Sequence, residues 1–130
     1  MLRSPSEKTR LTYVGAFREF DLYDDPDAPS LADARGLRPP GNKAEVVAYL
    51  SAGKPMVVSP GECAIDVFDP SRTTTTCSIL TDGRFAWSKQ LAYYVDVYDV
   101  LLPAEFEAHM AGSAYQVGVI DTRKLVLPDE

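Results

Sequence analysis

The chain has one histidine, two cysteines and no apolar run approaching the ~18 residues of a membrane span. A single histidine, His109, excludes HExxH and every two-histidine zinc set, and no CxxC is present, so no metal is expected. Two cysteines cannot build a disulfide scaffold. Cys63 and Cys77 stand fourteen positions apart, match no metal spacing, and read as small buried hydrophobes. The glycines are scattered singly, so neither a dinucleotide fingerprint nor a phosphate-cradling loop is visible, and no cofactor is expected. Basic charge is in the minority: the net charge of −6 argues against nucleic acid or an anionic membrane as a partner. The N-terminal MLRSPSEKTR has no apolar stretch behind its basic residues, which predicts no secretory leader and a cytoplasmic protein.

What is present is an ordinary globular composition, 45% hydrophobic and 25% charged over 130 residues, enough for one domain spanning 1–130. Residues 1–10 are expected to be flexible. The acids are concentrated. Residues 19–33 hold six acids (Glu19, Asp21, Asp24, Asp25, Asp27, Asp33) and no base, and residues 61–111 carry a balance of −5. The aspartates of 21–27 lack the alternating ligand positions and turn glycine of an EF-hand and read as a solvated loop.

Prolines and aspartates make 21–41 loop-rich. Before it, Leu11 to Phe17 predicts a strand with Leu11, Tyr13 and Phe17 on one face. Ser30 caps a short helical turn over 31–35. Asn42, with Glu45 three residues on, predicts a capped helix with Val46, Val47, Tyr49 and Leu50 on its apolar face, ended by a left-handed Gly53. A strand at 55–58 follows. Residues 63–68 read as either extended chain or one helical turn, and Thr73–Thr76 as loop running into strand. TCSILTDGRFAW predicts a hairpin with a two-residue type I′ turn at Asp82-Gly83, pairing Leu80 with Phe85 and Ser78 with Trp87. Ser88 opens a second helix over 89–98, and Pro103 a third that Gly112 ends. Tyr115, Val117 and Val119 alternate as a strand, and Leu125–Leu127 forms a last one. These elements predict an α+β fold: a mostly antiparallel sheet with two or three helices packed largely on one side.

Helix 89–98 is unusual in being apolar or aromatic nearly all round. Two readings follow. In one, it is a central helix sandwiched between sheet and another helix. In the other, Leu91, Tyr94, Val95 and Tyr98 pack inward while Tyr93 and Val97 meet a partner, with Asp96 and Asp99 as an acidic rim suited to a basic protein surface. His109, beside Met110 and three residues after Phe106, reads as a packed or surface histidine. No catalytic residue is expected.

LTDGRFAWSKQLAYYVDVYDVLLPAEFEAHM, together with Tyr49-Leu50, Gly53 and Asp69-Pro70 upstream, looks like a pattern in small bacterial proteins: YL-x-x-G, a strand, a DP turn, then TDG-x-x-x-W, LAYYV and LP-x-EF. Proteins of this type resemble immunity proteins encoded beside polymorphic secreted toxins. The resemblance covers residues 42–111. It implies a non-enzymatic binding protein that neutralises a cognate toxin by laying an acidic surface over a basic active-site cleft. It implies no catalytic residue. Two alternatives stand beside it: an accessory or regulatory domain that self-associates, as a homodimer, through the second helix, and a small enzyme using Cys63 or Cys77 with His109.

Overall fold

The computed structural model describes residues 8–22 and 24–128. In chain order the elements are β1 (Thr9–Arg10), β2 (Thr12–Tyr13), α1 (Leu31–Ala34), α2 (Lys43–Ser51), β3 (Lys54–Val57), β4 (Ile79–Thr81), β5 (Phe85–Ser88), α3 (Leu91–Tyr98), α4 (Ala104–Gly112) and β6 (Leu125–Val126). This is an α+β architecture, as expected. The main sheet runs β2-β5-β4-β3, and a second, two-stranded sheet joins β1 to β6. The β5–β4 and β4–β3 pairings are antiparallel, whereas β2 lies parallel to β5 and β1 parallel to β6. The parallel pairs join segments distant in sequence, where no hairpin dictates direction. Of the segment 1–10 expected to be flexible, residues 1–7 lie outside the described residues, while Thr9 and Arg10 pair with Leu125 and Val126.

The period-2 alternation of β5 divides the interior. Phe85 and Trp87 face the helices and pack with Tyr49 and Leu50 of α2, Tyr94 and Val95 of α3, and Phe106 and Met110 of α4. Ala86 faces the other way, into a smaller cluster of Leu11, Ile79, Leu125 and Leu127. α2, α3 and α4 thus contribute to one core, as expected, and the C-terminal segment covers the opposite side. The Trp87 indole donates to the Leu50 carbonyl at 3.1 Å, which fixes α2 against the sheet. Buried Arg38 ties the chain before α2 to α4: its guanidinium donates to the Val100 carbonyl at 3.1 Å and pairs with Glu107. Among the described residues, no helix is long and apolar enough to cross a membrane.

Several local expectations are corrected. The hairpin pairs Leu80 with Trp87 and Thr81 with Ala86, two residues off the expected register. The shift preserves every facing, because the side-chain period is two. Its cause is the turn. Asp82 Oδ1 accepts from the N–H groups of Arg84 (3.0 Å) and Phe85 (2.8 Å), and Thr81 Oγ1 accepts from Gly83 N–H (3.0 Å) while donating to the Phe85 carbonyl (2.6 Å). Of the two central residues only Gly83 has positive φ, at +100°, so the turn is not type I′. Gly53 is not a left-handed cap. A Cβ there would lie 2.7 Å from Trp87 Cζ2 and 2.9 Å from Leu80 Cβ, so close packing requires the glycine. Asn42 holds the N-cap position of α2 but makes no side-chain capping bond. Its amide instead accepts from Arg38 and donates to the Tyr115 hydroxyl at 3.2 Å.

The strand expected over 11–17 stops at Tyr13. Val14 and Phe17 turn into the helical core, and Gly15 adopts φ +60° with Leu91 packed where its Cβ would be. Residues 115–119 form no strand: Ala114 and Tyr115 take left-handed conformations (φ +54° and +58°) in the turn leaving α4, and Val119 is fully exposed. Residues 63–68 begin extended, with Ile65 bridging Thr73, and then turn. Cys63 and Cys77, expected to be buried, are both exposed.

Candidate functional site

Three places concentrate polar chemistry or exposed apolar surface. The first is the outer side of α3. Leu91, Tyr94 and Val95 are buried. Tyr93 and Val97 are half-buried, Asp96 is exposed and Asp99 is intermediate. The Tyr93 and Tyr98 hydroxyls both donate to Asp66 Oδ2 at 2.6 Å. Asp66 is fully buried, and its Oδ1 accepts from the N–H groups of Phe68 (2.8 Å) and Asp69 (3.2 Å). Burial pushes the Asp66 carboxyl up, but the two hydroxyls and two N–H groups outweigh it and hold the carboxyl below its usual range. Desolvation and the bond to Asp66 push the Tyr93 phenol up to about 12. The Tyr94 hydroxyl accepts from Val67 N–H at 3.1 Å. The tyrosines of α3 therefore fasten the loop over 62–76 to the helix, so a loop rather than another helix covers Tyr93. Lys43 Nζ bonds Asp99 Oδ1 at 3.1 Å and the Asp96 carbonyl at 2.9 Å, leaving the Asp96 carboxylate as the exposed charge of this face.

The second place surrounds His109. Its Nε2 lies 3.0 Å from Asp82 Oδ2, and the Tyr49 hydroxyl donates to the same oxygen at 2.5 Å. The Asp82 side chain is only 1% exposed. Desolvation, then the bond to Asp82, raises the Tyr49 phenol well above its ordinary value. The imidazole stands among Phe85 and Phe106. The arrangement joins the β4–β5 turn to α2 and α4. Cys77 lies against the Gln90 amide, 3.7 Å from its Nε2, and is not among the partners of His109. Among the described residues, no group of three His, Cys, Asp or Glu could hold a metal ion.

The third is a groove of about 330 Å³ between the segment after β2, α1 and the chain before α4. Phe17, Pro29, Asp33, Leu37, Leu101 and Pro103 line it. Leu37 is 58% and Leu101 39% exposed, which makes the groove's border apolar. A smaller hollow shares Ala16 and Phe17 with the groove and is walled by Asp21, Asp24 and Asp25 together with Arg18. The backbone beside both is firmly held. Glu19 Oε1 accepts from Leu31 N–H at 2.9 Å, and Oε2 accepts from the Ser30 hydroxyl at 2.7 Å. Burial raises the Glu19 carboxyl, but these bonds and Arg18 outweigh it and lower it.

Of the four residues expected at a partner surface, Tyr93, Asp96 and Val97 lie on α3 and Asp99 is its C-cap, and the groove lies elsewhere. The aspartate run was visible in the sequence. Leu37 and Leu101 were not, because both stand in segments without periodicity, and their juxtaposition depends on Gly36 N–H bonding the Tyr98 carbonyl (2.8 Å) and Leu101 N–H bonding the Ala34 carbonyl (3.0 Å). Comparison with known proteins gives no relative: no family model, no curated protein and no solved structure matches the chain.

Proposed function

We propose that this is a non-enzymatic, cytoplasmic binding protein that captures a basic protein partner, an immunity protein acting against a cognate toxin. The reading rests on one observation: an apolar groove with two exposed leucines opens beside a hollow walled by aspartates. Apolar anchors supply affinity, and flanking carboxylates steer a basic surface and set its orientation. Neutralisation is then steric and electrostatic, the acidic rim lying over the cationic cleft where the toxin's substrate would enter. The resemblance of residues 42–111 to immunity proteins supports the same reading. This reading prefers the groove to the outer side of α3, where the Tyr93 hydroxyl is engaged by Asp66.

The test is co-purification with the product of the adjacent reading frame, followed by association and dissociation kinetics at two salt concentrations. Replacing Leu37 and Leu101 with Ala speeds dissociation by roughly tenfold or more, as loss of desolvated anchors does. Replacing Asp21 and Asp24 with Lys slows association and flattens its salt dependence. Unchanged kinetics for both variants, with melting temperatures intact, would exclude the groove.

A further inference from the structure

Among the described residues, the arginines fall into two groups. Arg38, Arg84 and Arg123 pair with Glu107, Glu105 and Asp121, and Arg10 and Arg18 donate to main-chain carbonyls. Arg35 and Arg72 have neither a side-chain hydrogen bond nor an ion pair, and both are exposed. They are stacked instead on one aromatic cluster. Arg35 Cζ stands 4.4 Å from the centre of the Phe68 ring and 4.7 Å from that of Tyr98, and Arg72 Cζ stands 5.5 Å from the centre of Tyr93. Phe68 and Tyr98 meet edge to face with centres 4.8 Å apart, and the centres of Tyr93 and Tyr98 are 6.3 Å apart. The backbone fixes both arginines to this cluster. Gly36 N–H, next to Arg35, donates to the Tyr98 carbonyl at 2.8 Å, and Asp66 N–H donates to the Arg72 carbonyl at 2.9 Å.

A guanidinium stacked on an aromatic face keeps its charge and its in-plane N–H donors, and gives up rotational freedom before any ligand arrives. The acids of the same loop leave these donors unused. Asp66 is buried and engaged by the Tyr93 and Tyr98 hydroxyls, and Asp69 Oδ1 accepts from the N–H and hydroxyl of Ser71 at 3.1 and 2.6 Å. Val67, 46% exposed and adjacent to Phe68, gives the patch an apolar border. We propose that Arg35 and Arg72 form a second recognition surface, which takes an acidic segment of a partner protein, its carboxylates on the two guanidinium forks and an apolar side chain against Val67. This ligand is opposite in charge to the partner of the groove, so the two surfaces are independent. The two arginines stand over different tyrosines, which suits carboxylates spaced along a peptide rather than one small anion. Two cations beside Asp66 and Asp69, in a chain of net charge −6, are too few to hold a nucleic-acid backbone.

The test is a nuclear magnetic resonance titration of the isotope-labelled full chain with a capped hexaglutamate peptide at low salt. Saturable shifts are expected at the Nε–H groups of Arg35 and Arg72 and at the amides of Val67 and Phe68, weakening as salt rises. Arg35→Gln and Arg72→Gln each weaken binding by about tenfold, and the double variant abolishes it, with melting temperatures unchanged because both side chains are exposed. Arg35→Lys, which keeps the charge and loses the fork, falls between Arg35→Gln and the unaltered chain. Capped hexalysine shifts none of these groups. An absence of saturable shifts with hexaglutamate, or unchanged affinity in the double variant, would overturn the proposal. So would inorganic phosphate or a single-stranded oligonucleotide binding the same groups as tightly as hexaglutamate, since the surface would then select a general anion or a nucleic acid and not an acidic peptide.

Discussion

Asp66 and Asp82 are bound in nearly the same way at two ends of the molecule. In each, Oδ1 accepts from two backbone N–H groups of its own turn, and Oδ2 lies within 3.0 Å of two side chains on helices. For Asp66 the side chains are Tyr93 and Tyr98, both on α3. For Asp82 they are Tyr49 of α2 and His109 of α4. What differs is the surrounding support. Asp82 sits between β4 and β5, two paired strands buried along their length. Asp66 sits in a long connection whose one bridge joins Ile65 to Thr73. A carboxylate held in nearly the same way therefore reinforces a turn in one place and is a principal attachment of a loop in the other.

The largest effect that tests this contrast is removal of each carboxylate. Asp66→Ala and Asp82→Ala should each cost about 2–4 kcal/mol, since each leaves buried donors unpartnered. They should differ in where protection is lost. Amide exchange in Asp66→Ala should become fast at Ala64, Asp66 and Thr74 while β4 and β5 stay protected. In Asp82→Ala the melting temperature should fall, with no such localised opening. Equal, uniform loss in both would mean that the loop and hairpin are held alike.

The turn itself is tested by Gly83→Val. A Cβ at Gly83 would meet only Ile120, at 3.8 Å, so there is room for it and the cost is backbone strain at φ +100°. A loss of about 1–3 kcal/mol is expected from thermal or urea unfolding. No change would mean that the turn can adopt another conformation around Asp82.

Much of this contrast was legible in the sequence, and its limits have physical reasons. Asp82-Gly83 announced a turn, and the facing of Leu80, Phe85 and Trp87 was readable from alternation alone. The register was not, because the Thr81 and Asp82 side chains take over bonds that a two-residue turn would give to the backbone. α2, α3 and α4 were readable from periodicity and Pro103, although Asn42 makes no capping bond and Ser88, expected to open α3, ends β5 with Gln90 at the N-cap instead. The Asp66 clamp was hidden, since nothing local marks a buried aspartate whose donors stand 27 and 32 residues away. Both cysteines were misjudged for the same reason: exposure depends on which loop passes over them. The groove depends on two leucines brought together by long-range backbone bonds, and only its acidic border had a sequence signal.

Smaller effects come from trimming single donors. Tyr49→Phe should cost about 1.5–3 kcal/mol, because the hydroxyl it removes binds a buried charge. Tyr93→Phe and Tyr98→Phe should each cost about 1 kcal/mol or less, since the remaining hydroxyl still reaches Oδ2, and the double variant should cost more than the sum. His109→Ala should be milder than Tyr49→Phe, because the imidazole is partly exposed and water can replace it. An additive Tyr93/Tyr98 pair would mean that the two hydroxyls do not back each other up.

The smallest expected effect is a difference in acid sensitivity. The Asp66 carboxyl titrates below its ordinary value in the folded protein, so its contribution is fully present above the unfolded value near 3.8 and is lost as pH falls through the folded one. The phenol of Tyr93, raised to about 12, works at the other limit: its contribution holds below the ordinary tyrosine value of 10.0 and is lost as pH rises through about 12. Neither changes near neutrality. Asp66→Asn keeps one acceptor oxygen and the shape of the side chain but cannot titrate. Exchange of the loop amides between about pH 5 and about pH 2, corrected for intrinsic rates, should therefore accelerate in the unaltered chain and stay flatter in Asp66→Asn. Glu19 and Asp121, whose carboxyls are also lowered, are common to both proteins and cancel in the comparison. Parallel acid slopes would mean that the loop opens through some other carboxylate, and the contrast between the two clamps would then rest on strand support alone.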